Sequence, residues 1–151
     1  MMIMTRDRDY PALLEAVEGK KVAVWTCNTC ARYNGIGGRE AAQRLAVALE
    51  ADGVAVVHLG WTSASCMESS LLRDGRGELP GEADLIVALT CRAGAVLVER
   101  VWGVPAINPV ITLGPGYLTG DGGRSLVGSD GRRTDADALA AARGLPEGPI
   151  V

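Results

Sequence analysis

The stretch Lys21-Val22-Ala23-Val24-Trp25-Thr26-Cys27-Asn28-Thr29-Cys30 decides the reading of this chain. Its first part is an apolar run of strand length, with no alternation of polar residues, as in a strand covered on both faces. Two cysteines follow at once. The pattern recurs: Val54-Ala55-Val56-Val57-His58-Leu59 is followed by Cys66, and Leu85-Ile86-Val87-Ala88-Leu89-Thr90 runs straight into Cys91. Each run predicts a buried parallel strand with its cysteine at or just past the carboxyl end. Ligands of open α/β sheets bind at that edge.

Helical patterns separate the strands. Tyr10 to Val17 reads as a short leading helix, with Pro11 in its first turn and Gly19 ending it. Arg39 to Ala51 carries Ala42, Leu45, Ala46 and Leu49 on one face and stops at Asp52-Gly53. Cys66 to Leu72 reads as a short helix capped by Ser63 or Ser65. Gly75-Arg76-Gly77 and Pro80-Gly81 read as a loop. Ala93 to Trp102 is a helix, and Gly103-Val104-Pro105 leads to a fourth strand near Ala106 to Asn108.

Strands alternating with helices predict a mostly parallel sheet of four or five strands in a three-layer, Rossmann/flavodoxin-like α/β domain. The expected strand order is two-one-three-four, which brings Cys27 near Cys91 and lets the Cys66 loop reach the same crevice. From Thr112 onward the signal fades into a glycine-rich tail. It holds a small edge strand at Ser125-Leu126-Val127 and a helix Ala136 to Arg143, capped at Thr134-Asp135 and ended by Gly144-Leu145-Pro146. One domain over 1–151 is expected, with its core at about 20–114 and an extension over 115–151.

Composition narrows the function classes. The 151 residues are 48% hydrophobic, enough for a core, yet contain no Phe, so Val, Ala and Leu must fill it. The net charge of −3 and the scattered arginines give no electrostatic case for nucleic acid. No apolar stretch approaches the roughly 20 residues a membrane helix needs, and the N-terminal residues hold no apolar signal core. A cytoplasmic protein is expected, where cysteines point to metal or redox chemistry before disulfides.

Four thiols at one edge, Cys27, Cys30, Cys66 and Cys91, suit a soft metal or an iron–sulfur cluster. Zinc in a tetrathiolate site stays open, although paired knuckles are its usual signature. So does Cys27 as an enzymatic nucleophile, and so do cysteines serving as small buried hydrophobes. A thioredoxin-like role is disfavoured because a glycine-rich loop, rather than a helix, is expected after the C-x-x-C. Asn34-Gly35-Ile36-Gly37-Gly38-Arg39 precedes a helix and reads as a tight loop; its N–H groups could serve an anion or cluster sulfides. Gly94 reads either as room for a bulky ligand or as close helix–sheet packing. His58 and the three tryptophans read as core or interface residues, and Arg32 and Tyr33 as pocket-mouth or solvated residues.

Val24-Trp25-Thr26-Cys27-Asn28-Thr29-Cys30-Ala31, Gly37-Gly38, the lone Cys66 with an acid two residues on, and Leu89-Thr90-Cys91-Arg92-Ala93-Gly94 together resemble a known family. It is the small cysteine-rich partner subunit of methylenetetrahydrofolate reductase. Val104-Pro105-Ala106-Ile107-Asn108-Pro109 adds to the likeness, which covers about Lys20 to Gly114, the family's N-terminal domain only. The resemblance implies a Rossmann-like domain, iron–sulfur ligation and an accessory role in moving electrons to a larger redox flavoprotein of one-carbon metabolism. The chain departs from the family in lacking cysteine over 112–151, in reading Tyr33-Asn34 where a further cysteine is common, and in placing Asn28 and Arg92 where glycine is favoured.

The resulting expectation is one [4Fe–4S] cluster on Cys27, Cys30, Cys66 and Cys91, with Asn28, Gly37, Gly38, Arg92 and Gly94 around it. A non-catalytic subunit or homodimer is expected rather than an enzyme.

Overall fold

The computed structural model describes residues 2–7, 9–74 and 82–144. The chain runs β1 (Met2–Asp7), α1 (Tyr10–Val17), β2 (Lys21–Cys27), α2 (Cys30–Tyr33), α3 (Arg39–Ala51), β3 (Ala55–Thr62), α4 (Glu68–Asp74) and β4 (Leu85–Leu89). It continues with α5 (Arg92–Trp102), β5 (Ala106–Ile107), β6 (Val110–Leu118), β7 (Arg124–Val127), β8 (Arg133–Asp135) and α6 (Ala136–Ala142).

The fold is mixed α/β. Four strands form a parallel sheet in the order β3-β2-β4-β5, the two-one-three-four order expected from the sequence. Alternation of side chains along β2 splits the core. Val22 and Val24 pack with Leu13 and Val17 of α1 and with Leu45 and Leu49 of α3. Ala23 and Trp25 point the other way, into Leu71 of α4 and Ala95 and Val98 of α5. Helices therefore cover both faces of β2 and β4, which explains why those strands read as unbroken apolar runs.

The second sheet departs from the sequence reading. β1, β6, β7 and β8 form an antiparallel sheet in that order. The residues from Thr112 expected to be a turn-rich tail instead continue the nine-residue strand β6, which begins at Val110 and pairs with the N-terminal segment. Gly114, at φ +141°, allows an irregular backbone there, and the register skips Leu113 between the Met4–Gly114 and Thr5–Thr112 pairs. That is a β-bulge, in which one strand carries an extra residue. Ser125–Val127 is not an edge: β7 lies between β6 and β8. Leu126 and Ala136 form a small core with Leu113 and Leu139. Asp135 caps α6 by accepting a hydrogen bond from the Ala138 N–H, as expected.

Other boundaries move. β3 extends to Thr62, three residues beyond Leu59, because its edge position beside β2 continues to the end of that strand. α4 starts at Glu68, so neither Ser63 nor Ser65 caps it; Ser65 instead accepts from the Trp25 indole. The loop expected after Cys30 contains the one-turn helix α2. The loop glycines over 75–81 and the terminator Leu145-Pro146 lie outside the described residues. Among the described residues, no helix is long and apolar enough to cross a membrane.

Candidate metal centre

The site grows from the carboxyl ends of β2 and β4. A polar residue sits inside the core at each end: Thr26, next to last in β2, and Thr90, just past β4, are fully buried. A buried hydroxyl needs partners. Thr26 donates to the Leu89 carbonyl at 3.1 Å and accepts from the Gly38 N–H at 2.8 Å. One side chain thus ties the ends of two strands to the glycine loop. Thr90 donates to the Cys91 carbonyl, and its own carbonyl accepts from the Asn108 amide.

Cys27 is the last residue of β2, buried, with its thiol 3.6 Å from the Ser63 carbonyl. The Thr29 hydroxyl donates to the same carbonyl. Ser63 follows β3 directly and lies three residues before Cys66, so the Cys66 segment is fastened to the C-x-x-C loop. Cys30 opens α2 and is half-buried. This corrects the argument that no helix follows the C-x-x-C; one turn does, and the glycines come after it. Cys66 is exposed, and Cys91, buried, is the N-cap residue of α5. Cys27, Cys66 and Cys91 form no disulfide.

The thiols share one neighbourhood. The Cys91 thiol is pushed up by burial, pulled back by a hydrogen bond from the Gly94 backbone, and pushed further by charge on Cys66, Cys27 and Cys30. Burial raises Cys66 as well, followed by charge on Cys27; its own backbone N–H opposes this, and Cys30 adds a further push. A cation among such groups reverses the penalty, since thiolate ligands must shed their protons to bind. The arrangement is nonetheless open. Among the described residues, no group of three or more His, Cys, Asp or Glu stands close enough to hold a metal ion. The donor chemistry fits a thiolate-bound centre; the side chains as placed do not form a closed cage.

The supporting residues sort by what they touch. Asn28 accepts the Arg39 N–H at the start of α3 at 3.0 Å, while its own N–H donates to the Thr62 carbonyl. Gly37 is forced by packing: a Cβ there would meet Ala31 at 2.6 Å and both Leu89 O and Thr26 Oγ1 at 2.9 Å. Gly38 has φ +88°. Gly94 serves close packing, since a Cβ would stand 3.0 Å from Ser65 and from Thr90. That contact presses the Cys66 segment against the first turn of α5. The Arg92 N–H donates to Thr112 Oγ1, linking α5 to β6. A shallow cleft lined by Cys66, Arg92, Ala93, Val96 and Arg100 adjoins this point.

Trp25 is buried against Trp102 and His58, as expected of core residues. Sequence reasoning missed Thr26, Ser63 and Asn108, which fix the site's frame. Thr26 and Thr90 had a visible signal: each is a hydroxyl set between an apolar run and a cysteine. The role of Ser63 rests on its carbonyl and leaves no trace in residue type.

Comparison of the chain with protein-family models, with curated proteins and with solved structures gives no match.

Proposed function

We propose that Cys27, Cys30, Cys66 and Cys91 ligate one [4Fe–4S] cluster at the carboxyl edge of the parallel sheet. The chain then acts as a cytoplasmic electron-transfer or accessory subunit for a larger redox flavoprotein, in the manner implied by the resemblance to the methylenetetrahydrofolate reductase partner. The strand order and the helices on both faces support the Rossmann/flavodoxin-like reading of the domain.

One observation carries this reading: Cys27 ends β2, Cys30 opens α2 three residues on, Cys91 stands two residues past β4, and the Cys66 segment is tied to Cys27 through the Ser63 carbonyl at 3.6 Å, so all four cysteines stand at the carboxyl edge of one sheet. When bound, such a cluster supplies a one-electron redox centre. The protein's part is to hold it. Cys27 and Cys91 stand on strand ends locked by Thr26 and Thr90, while the exposed Cys66 comes from a segment anchored at Ser63. The Gly94 backbone opposes the upward push of burial on the Cys91 thiol and so favours its thiolate. With all four ligands supplied by protein, no position is left for substrate, which favours electron traffic over catalysis.

The test is electron paramagnetic resonance on anaerobically purified, dithionite-reduced protein. A cluster signal that disappears in Cys27→Ser and Cys91→Ser supports the reading. A colourless protein carrying zinc contradicts the cluster, and metal-free protein contradicts ligation altogether.

A further inference from the structure

A second cleft lies beside the cysteines and has a different chemistry. It encloses about 490 Å³ between the α2 loop and α3, and its walls include Asn28, Arg32, Arg39, Glu40 and Arg44. Three guanidinium groups against one carboxylate make it cationic in a chain whose net charge is −3. Among the described residues, no carboxylate stands within ion-pair distance of any of the three arginines. The cleft at the amino end of the sheet is the opposite, with Glu15, Glu18 and Asp52 against Lys20 and Lys21. Cationic groups are thus gathered on the cysteine side.

Two of these arginines are held in place. The Arg39 guanidinium sits over the Trp61 ring, 4.6 Å from its centroid. The aliphatic stem of Arg32 lies across Gly38, where a Cβ would meet its Cβ, Cγ and Cδ at 2.9–3.4 Å. Glycine at 38 therefore makes room for that stem. Fixing a long side chain beforehand lowers the ordering cost of binding, and a guanidinium takes a phosphate through two parallel hydrogen bonds. The size falls within the roughly 300–1,000 Å³ of small-molecule sites.

We infer that this cleft binds a small diphosphate-bearing molecule, one phosphate on Arg32 and the other on Arg39, with Arg44 adding charge at the rim. The site does not depend on the cluster reading: it uses no cysteine, and its test reads phosphate binding rather than iron.

Isothermal titration of the full chain with inorganic pyrophosphate, and separately with ADP, tests it. Saturable one-to-one binding is expected, weakened about tenfold or more in Arg32→Gln/Arg39→Gln, as follows from losing charge-assisted hydrogen bonds. Glu40→Gln should bind several-fold tighter. Arg132→Gln, in the β7–β8 turn and outside the lining of the cleft, should bind as the wild type does. Tighter binding of ADP than pyrophosphate assigns the ligand to nucleotides; equal binding assigns the site to the diphosphate alone. All the substituted side chains are exposed, so unchanged circular dichroism is expected, with only a small fall in melting temperature where the Arg39–Trp61 contact is lost. Absence of saturable pyrophosphate binding overturns the inference, as does equal binding by the double variant and the wild type. Salt-sensitive binding of polyglutamate in place of pyrophosphate also overturns it and assigns the cleft to an acidic protein surface.

Discussion

The Cys27 thiol lies 3.6 Å from the Ser63 carbonyl, across 36 residues of sequence. This contact joins the end of β2 to the segment carrying Cys66, and Gly94 clamps that segment from the other side through Ser65. The three cysteine-bearing strand ends are therefore mechanically coupled before any metal arrives.

The thiols should react in a definite order in reduced, metal-free protein. Cys66 is exposed, whereas Cys27 and Cys91 are buried. Iodoacetamide followed by mass spectrometry should label Cys66 first. Burial and neighbouring charge raise Cys66 and Cys91 above the ordinary thiol value of 9.0, so their labelling should keep accelerating at a pH where a free thiol has levelled off. In the Cys27→Ala variant that onset should shift to lower pH for both, because one repelling charge is gone.

Gly94→Ala should separate the site from the fold. The added methyl stands 3.0 Å from Ser65 and Thr90, so the Cys66 segment must give by a few tenths of an ångström. Iron retention after anaerobic desalting should fall while the far-ultraviolet spectrum stays unchanged. Retention equal to the wild type would show that the clamp at Ser65 does not matter.

Gly60→Ala should damage the core instead. Its methyl would meet the Trp25 ring at 2.3–2.4 Å, and that ring is enclosed by Trp102 and α5. Overpacking of this kind costs about 1–3 kcal/mol, to be read from the shift in urea midpoint.

Tyr10 predicts an alkaline effect. Its hydroxyl donates to Asp52 at 2.7 Å, and desolvation together with that carboxylate raises its pKa from 10.0 to about 12. Between these values the folded chain keeps a proton that the unfolded chain has lost, so stability declines as pH rises through the window. The contribution is complete below the unfolded value. Urea unfolding of the wild type and Tyr10→Phe should differ most at neutral pH and converge as the pH climbs.

The parallel sheet was legible because its determinants are local. β2 and β4 are covered on both faces, so burial writes itself into unbroken apolar runs, and the cysteines mark their ends. The antiparallel sheet was not. Its longest strand contains Gly114, Pro115 and Gly116, poor strand formers held by pairing with Met2–Asp7 more than a hundred positions away. The same holds within the site. Cysteine positions are visible in the sequence, whereas the carbonyls of Ser63, Leu89 and Thr90 that fix its frame belong to the backbone. The arginine cleft was legible only in part: the glycine loop and Arg32 were visible as anion-loop and pocket-mouth residues, whereas the place of Arg44 in the same wall follows from the packing of α3 beside that loop.

Asp135→Ala tests the second sheet's junction with α6. Loss of the bond to the Ala138 N–H should cost about 1 kcal/mol, seen as faster hydrogen exchange over 136–142 with 21–27 unaffected.

Metal and thiol accounting on one anaerobically purified sample tests the central claim most directly. The account predicts about four iron and four sulfide per chain, the composition of a [4Fe–4S] centre, with Cys27, Cys30, Cys66 and Cys91 all protected from alkylation until the iron is chelated and then all released together. Iron-free protein whose four thiols alkylate independently would contradict it.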